Sequence, residues 1–559
     1  MVSMLADSLV FELFAASALV TILGRSRKAV EALSVASSLA AAALSVLYVF
    51  SSDQPSLLGL QLYNDPLSKL MLCVVNILGS LIIVYSLGYM EHDPGFVRYY
   101  SLMLFFIASM SLLVLSTDLI ILYMSWELVG VCSALLISFW WEKPEARRAG
   151  LKAFTVTRIG DIGFIVAAAI ILSTLGTTQI PSILSSSTRL GGQTTLVALL
   201  LLLAAVGKSA QFPLFVWLPD AMEGPTSVSA LIHAATMVKA GVYLISRFYP
   251  LIASSEVALS MIVWLSTITA LLSALSALGA SDVKKVLAYS TINHLALMFL
   301  ALGLGAWTAA QLHLVSHSLF KALLFLCAGL IIHEVGTRDL DKVWGLWDSG
   351  MKITGVAFLI GALSLAGVPP LPGFFTKELI FTALEEKYPG LPGDLLVFTF
   401  SLLSAMYIFR LFFRLFSGCC GARRIHEHNL PMLLPIVLLA SLTLGGYLVL
   451  VEASKLLRAE PEFYDINPLA LLALVAGLLL SYAVWDRAKG WSLRKAMLPI
   501  ARIADRGFYV DAAYTAIASW LTGTLSSISV KLQRGIPSVN TLWLMGLLLV
   551  LLMVVLGVT

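Results

Sequence analysis

The residues with the most chemical potential in this sequence are ionisable side chains inside apolar runs. Glu127 lies in LIILYMSWELVGVCSALLI, Lys208 in AAVGKSAQFPLFVWLPDAMEGPT and Lys239 in SALIHAATMVKAGVYLI. Lys377, followed by Glu378, lies in LSLAGVPPLPGFFTKELIF. His313, His317 and Lys321, in AQLHLVSHSLFKALLF, stand at i, i+4 and i+8, which places them on one stripe of a helix. A charge near the centre of a bilayer costs from ~2.5 to over ~10 kcal/mol, so a series of them marks a route for ions or protons. Lysine is a poor proton carrier at its ordinary pKa of about 10.4, but desolvation lowers that value and a nearby carboxylate raises it. A lysine whose acid partner moves closer or further away can therefore hold or release a proton, and Glu127 with Lys208 is the expected pair. Histidines at helical spacing relay protons because imidazole titrates near neutrality and has two nitrogens.

Other ionisable residues have plainer readings. Arg158 and Asp161, in TVTRIGDIG, form an i, i+3 set that reads first as a structural ion pair. For Lys284 and Lys285, in SDVKKVLAYST, loop charges are one reading, favoured for Lys285, and His233 reads equally as a packing, capping or relay residue. His294 and His333 read as ordinary interfacial histidines.

The elements that must position these groups are membrane helices. Of 559 residues, 59% are hydrophobic and 12% charged, against about 25% charged in soluble domains. So little polar surface cannot cover a water-exposed body of this size, and no basic runs interleaved with aromatics suggest nucleic acid. Cys73, Cys132, Cys327, Cys419 and Cys420 have no CxxC spacing, so no metal or iron–sulfur site is expected. No GxGxxG loop on a strand–helix unit suggests a dinucleotide.

A span needs about 20 apolar residues, and about sixteen fit between residues 6 and 558, the last at 540–558. MVSMLADSLVFELFAASALVTILGRSRK reads as a first membrane helix, because its basic residues follow the apolar stretch. Arg and Lys concentrate in loops after odd-numbered spans, among them Arg25, Arg147, Arg338, Arg423 and Lys489. The positive-inside rule puts those loops in the cytoplasm and both termini outside the plasma membrane.

Span seven is interrupted by Pro213 and span twelve, 351–386, by Pro369, Pro370 and Pro372. Paired broken helices in corresponding halves point to a transport site. Their offset of five spans predicts an all-α bundle with two inverted five-helix repeats. Residues 1–90 then hold spans 1–3, 91–250 the first repeat, 251–418 the second, and 419–559 the last three spans with a short amphipathic connecting segment.

SWELVGVCSALLI, RIGDIGF, KSAQFPLFVWLPDAMEGPTSVSALIHAATMV, DVKKVLAYSTINH, HLVSHSLFKALLF and GFFTKELI together resemble the antiporter-like subunit L (chain 5) of NADH:quinone oxidoreductase, complex I. The similarity runs from about residue 60 to about 415. It implies a proton path on a central polar axis. Glu127 would be the acid partner, Lys208 the switching lysine, His313, His317 and Lys321 the relay, and Lys377 the outlet. Asp161 and Lys284 would belong to the same network. The resemblance further implies M-, N- and K-type membrane partners and a peripheral redox arm. FMN, iron–sulfur clusters and quinone are expected in those partners, with none in this chain; protons are the transported ion and sodium is left open. Lys239 stands where such subunits carry threonine, which looks more like Mrp-type cation/proton antiporters or membrane-bound hydrogenases; these are the alternative reading. A scaffold with an inactive channel is a third.

Overall fold

The computed structural model describes residues 5–51, 56–57, 60–418, 427–460, 466–485 and 507–532, with five more between 541 and 548. Regular structure among them is helical apart from the two-residue strands Ser56–Leu57 and Leu60–Gln61. The helices are α1 (Leu5–Ile22), α2 (Arg27–Val49), α3 (Pro66–Tyr89), α4 (Phe96–Leu115), α5 (Leu119–Ile137), α6 (Pro144–Leu175), α7 (Ile180–Ser185) and α8 (Thr194–Lys208). There follow α9 (Trp217–Asp220), α10 (Thr226–Ala234), α11 (Met237–Arg247), α12 (Tyr249–Ala253), α13 (Glu256–Gly279), α14 (Val283–Gly303) and α15 (Trp307–Val335). The series ends with α16 (Lys352–Ala366), α17 (Pro372–Lys387), α18 (Leu391–Phe416), α19 (Leu430–Leu444), α20 (Gly446–Leu456), α21 (Pro468–Trp485) and α22 (Val510–Leu532).

Short polar side chains start the helices that matter most. Asp118 accepts from the backbone N–H of Ile120 and Ile121 at the head of α5. Asp282 does the same for Lys284 and Lys285 at the head of α14. Each such cap stabilises its helix by about 1 kcal/mol. Gly336 and Gly367 end α15 and α16 in the left-handed conformation, which only glycine adopts without cost.

Burial separates the inner helices from the outer ones. Thr226–Arg247 and Val283–Gly303 are buried over their whole spanning windows and Trp307–Val335 over 94%, against 33% for Arg27–Val49 and Pro468–Trp485. His233, Lys239, Lys284, His294, His313, His317 and Lys321 on these helices are therefore buried in protein, as a charged group in a bilayer must be.

Among the described residues, twelve helices are long and apolar enough to cross a membrane, or thirteen with the bent pair α19–α20. This is fewer than the sixteen expected. Span twelve is two short helices, since α16 stops after 15 residues. Leu430–Leu444 and Gly446–Leu456 meet at 70°. The expected span at 540–558, with Arg423, Arg424, Arg487, Lys489, Cys419 and Cys420, lies outside the described residues.

Span eight also departs from the continuous helix expected over 227–249. It divides at Ala235–Thr236, where Thr236 donates both its N–H and its hydroxyl to the Leu231 carbonyl. A threonine hydroxyl competing for helix acceptors in this way offers the backbone an alternative to the regular ladder.

The chain divides into two compact units, residues 1–506 and 507–559. In the second, α22 has 23 residues and is about 35 Å long at 1.5 Å per residue.

Candidate functional site: a buried charged axis

The first cluster is built by close packing of α5, α6 and α8. A Cβ at Gly160 would lie 3.1 Å from the Cα of Gly207, and one at Gly163 would lie 2.5 Å from the Leu200 carbonyl oxygen. The glycines of RIGDIG thus let two backbones approach, as small residues do between membrane helices. That approach brings Asp161 Oδ2 to 3.4 Å from Lys208 Nζ, with both side chains buried. Trp126 Nε1 donates to the other Asp161 oxygen at 2.6 Å, and Lys208 Nζ lies 5.5 Å from the Trp126 ring centroid.

The expected Glu127–Lys208 ion pair does not form. Successive residues turn by about 100° on a helix, so Trp126 faces the Asp161–Lys208 pair while Glu127 turns to Arg158, with which it forms the ion pair. Arg158 Nη1 also lies 4.0 Å from Asp161 Oδ2. Arg158 therefore links the two acids and does not serve Asp161 alone.

α8 ends at Lys208, and Ala210 follows with φ of 49°. Ser209 Oγ donates to the Val238 carbonyl at 2.8 Å, so the neighbours of Lys208 and Lys239 are bonded to each other. Lys239 then reaches α15, donating to the Leu314 carbonyl at 3.1 Å and to Ser318 Oγ. Ser318 follows His317 directly. Lys321 donates to Ser290 Oγ and to the Leu287 carbonyl at 3.3 Å on α14. Lys284 donates to the Gly224 carbonyl at 2.6 Å and is buried, whereas Lys285 is half-buried. Lys284 is thus part of the buried network while Lys285 stays nearer the surface.

Histidines form the next stretch. His294 Nδ1 and His313 Nε2 are 3.0 Å apart, and His313 Nδ1 lies 2.9 Å from Thr376 Oγ1. The Thr376 hydroxyl donates to the Pro372 carbonyl at 3.1 Å. When that hydroxyl donates to Pro372 it accepts from His313 Nδ1–H, and a neutral His313 then accepts at Nε2 from His294 Nδ1–H; in the other tautomer both directions reverse. The His317 ring centroid is 5.6 Å from that of His294. Both ring nitrogens of His233 and of His317 are buried without a protein hydrogen-bond partner, the setting in which proteins hold internal water. His233 instead packs its ring 4.6 Å from Phe325.

His294 is not interfacial. It is the twelfth residue of α14, fully buried, and that depth was available from its place in the apolar run. His333 is exposed. Thr376, one residue before Lys377, was also overlooked.

The axis ends on α17. The break after α16 frees the Ala366 carbonyl, which accepts from Lys377 Nζ at 2.9 Å. Ser404 Oγ on α18 accepts from the same ammonium at 2.8 Å. Glu378 Oε2 accepts from the backbone N–H of Asn467 at 3.0 Å, and Glu385 Oε1 from Asn467 Nδ2 at 2.6 Å. Two carboxylates of α17 thus clasp the start of α21. No sequence signal marks Asn467. A small cavity lined by Gly367, Lys377, Glu378, Ser401 and Leu471 adjoins them.

Among the described residues, no three His, Cys, Asp or Glu side chains converge on a possible metal position.

Comparison with known proteins places this arrangement. The family described as NADH:quinone oxidoreductase/Mrp antiporter, TM matches residues 116–404. The family described as NADH-Ubiquinone oxidoreductase (complex I), chain 5 N-terminus matches residues 55–100. Subunit 5 of the chloroplastic NAD(P)H-quinone oxidoreductase of Zygnema circumcarinatum is 44% identical over 63% of this chain and 52% of its own length. Chain 5 of the Synechocystis NAD(P)H-quinone oxidoreductase is 42% identical over 63% of this chain and 54% of its own. The chain thus spans about half the length of the first curated relatives it matches. F(420)H(2) dehydrogenase subunit L of Methanosarcina mazei is 39% identical over 84% of this chain and 75% of its own length.

The solved Mrp complex from Dietzia sp. DQ12-45-1b contains a chain with TM-score 0.79 and 28% identity, aligned over 99% of this chain and 63% of that one. The archaeal membrane-bound sulfane sulfur reductase shares the fold, with TM-score 0.72 and 22% identity over 85% of this chain and 98% of its own. With its broken helices and buried lysines in matching segments, this chain belongs to the antiporter-like membrane family shared by NADH:quinone oxidoreductase chain 5 and the Mrp antiporters.

Proposed function

We propose that this chain carries protons along its buried axis as the L-type subunit of a complex I-like quinone oxidoreductase. Redox energy released in partner subunits would change the charge state of the Glu127–Arg158–Asp161–Lys208 cluster. The change would pass by Lys239 and the histidines of α14 and α15 to Lys377, where the proton leaves.

The observation that carries this reading is the run of hydrogen-bonded or adjacent polar groups linking two broken spans. It leads from Asp161–Lys208 through Ser209–Val238, Lys239–Ser318, His317, His294–His313 and Thr376 to Lys377–Ser404. Lys208 has a carboxylate against it. Lys239, Lys321 and Lys377 are held by hydroxyl and carbonyl oxygens. A proton placed on Lys239 or Lys321 is stabilised by dipoles alone, whereas on Lys377 the adjacent Glu378 adds its charge, and residence on each depends on charge arriving from neighbours. Water bridging the free His317 nitrogens would complete the transfer.

The two breaks divide the axis as inverted repeats would, residues 91–250 holding Lys208 and 251–418 holding Lys377. The bias of basic residues toward alternate loops supports an outlet at the outer face, with both termini outside and the chain multi-pass in the plasma membrane. M-, N- and K-type subunits and a peripheral arm carrying FMN, iron–sulfur clusters and quinone would complete the assembly. The relatives named NAD(P)H-quinone oxidoreductase and F(420)H(2) dehydrogenase support a redox-driven complex.

The deciding experiment is proton uptake by the native complex in sealed vesicles, with Lys208→Ala introduced. Electron transfer that persists while proton uptake falls supports the proposal. Undiminished uptake in an assembled complex would show the axis to be a scaffold. A second reading, an Mrp-type Na+/H+ antiporter subunit, is favoured by Lys239 and by the Dietzia similarity. Ion exchange that runs with no electron donor separates that reading from the first.

A further inference from the structure

A cavity of about 610 Å³ lies between the end of α2, α3, α15 and the bent pair α19–α20. Val74, Ile77, Leu78, Leu319, Leu442 and Val449 line it. Its size is that of a pocket for a sizeable organic molecule, and its chemistry indicates which kind.

The walls are hydrocarbon, and the side chains around the opening are outward-facing: Phe50 is 83% and Leu448 68% exposed. On a chain that spans a bilayer, this surface meets lipid. The charged lining residues are the paired Glu452 and Lys455. Lys455 lies on the rim, Arg458 follows α20, and Lys69 stands in the first turn of α3. Lys69 and Arg458 are near enough for their charges to interact. Glu452 is engaged by Lys455 at 2.7 Å, and Glu460 follows Arg458 by two residues. Lys69 also feels the charge of Asp65, which Arg247 holds, and its Nζ donates to the Ser51 carbonyl at 2.7 Å, while Arg458 forms no ion pair among the described residues.

An apolar slot beside two mutually repelling cations, Lys69 and Arg458, fits an amphiphile with an anionic head. We propose that this groove binds one anionic phospholipid, its phosphate between Lys69 and Arg458 and an acyl chain along Leu70, Val74 and Leu78. The inner wall includes Val315, Ser318 and Leu319, and Ser318 is the residue that receives Lys239. The acyl chain therefore lies between the axis and the membrane and keeps water from entering beside Lys239. The opposite wall, α20, leans on the outlet helix, because Gly446 lies so close to Pro372 that a Cβ there would be 2.4 Å from the proline Cγ.

The test counts phospholipids retained by the native complex in mild detergent, by native mass spectrometry. Lys69→Gln with Arg458→Gln removes the cations, and Val74→Trp with Leu442→Trp fills the slot. Each double variant is expected to lose one anionic phospholipid per complex. Wild-type complex stripped of lipid should regain it from phosphatidylglycerol vesicles and not from phosphatidylcholine vesicles. Should the filled-slot variant fail to assemble, the charge variant decides alone. Unchanged retention in the charge variant, equal uptake of phosphatidylcholine, or a partner subunit's helix found in the groove overturns the proposal.

Discussion

Lys208 Nζ lies 3.4 Å from Asp161 Oδ2, and both side chains are withdrawn from solvent. Glu127, the acid that the SWEL segment brings to notice, stands one step aside and is held by Arg158. Removing one member of a buried pair leaves an uncompensated charge and costs about 3–5 kcal/mol. Asp161→Asn is therefore expected to lower the thermal stability of the complex and abolish proton uptake. Glu127→Gln, whose partner is partly exposed, should destabilise less. Adding Lys208→Met to Asp161→Asn should recover most of the stability and none of the uptake. A larger stability loss for Glu127→Gln than for Asp161→Asn would contradict this pairing.

Gly130 gives a second handle on the same lysine. A Cβ there would lie 2.5 Å from Lys208 Nζ, so Gly130→Ala must displace the ammonium. Losing one hydrogen bond of about 1.4 kcal/mol corresponds to about a tenfold fall in rate. The complex should assemble normally and translocate protons about tenfold more slowly by that same conversion, measured with a pH-sensitive dye in vesicles.

His294 and His333 make a matched pair of controls. His294→Phe removes the hydrogen-bond partner of His313 Nε2, whereas His333 is exposed and off the axis. Proton uptake should fall about tenfold for the first, the value of one hydrogen bond, and stay unchanged for the second. Thr376→Val, which removes the hydrogen-bond partner of His313 Nδ1, should resemble His294→Phe. Equal rates for His294→Phe and His333→Phe would remove His294 from the route.

Asn467 both caps α21, accepting from the N–H of Leu469 and Ala470, and donates to Glu385. Asn467→Ala should destabilise the start of α21 by about 1 kcal/mol, the typical value of such a cap. Faster hydrogen exchange at residues 469–472, with exchange in α14 unchanged, is the expected reading. Uniform exchange across both helices would show that Asn467 does not hold this end.

Much of the fold was legible because membrane helices and prolines leave coarse marks. Pro213 and the Pro369–Pro372 cluster announced both breaks beside Lys208 and Lys377. The division of span eight was hidden, since Thr236 acts through hydrogen bonds to Leu231 and not through a residue type that excludes helix. The lysines were found by their cost in lipid. Their partners were not, because a rotation of one residue decides whether Trp126 or Glu127 faces Lys208. His294 was misread although its depth in α14 was countable. Asn467 could not have been found, since its link to Glu378 and Glu385 joins segments more than eighty residues apart.

Lys239, Lys284, Lys321 and Lys377 each hold a main-chain carbonyl, at Leu314, Gly224, Leu287 and Ala366. No side-chain replacement deletes such an oxygen, so a conventional mutational scan would leave that part of each lysine's coordination untouched and invisible. Carbon-13 labels on those four amides, followed by infrared difference spectroscopy through a turnover, would report directly on when each ammonium arrives and departs.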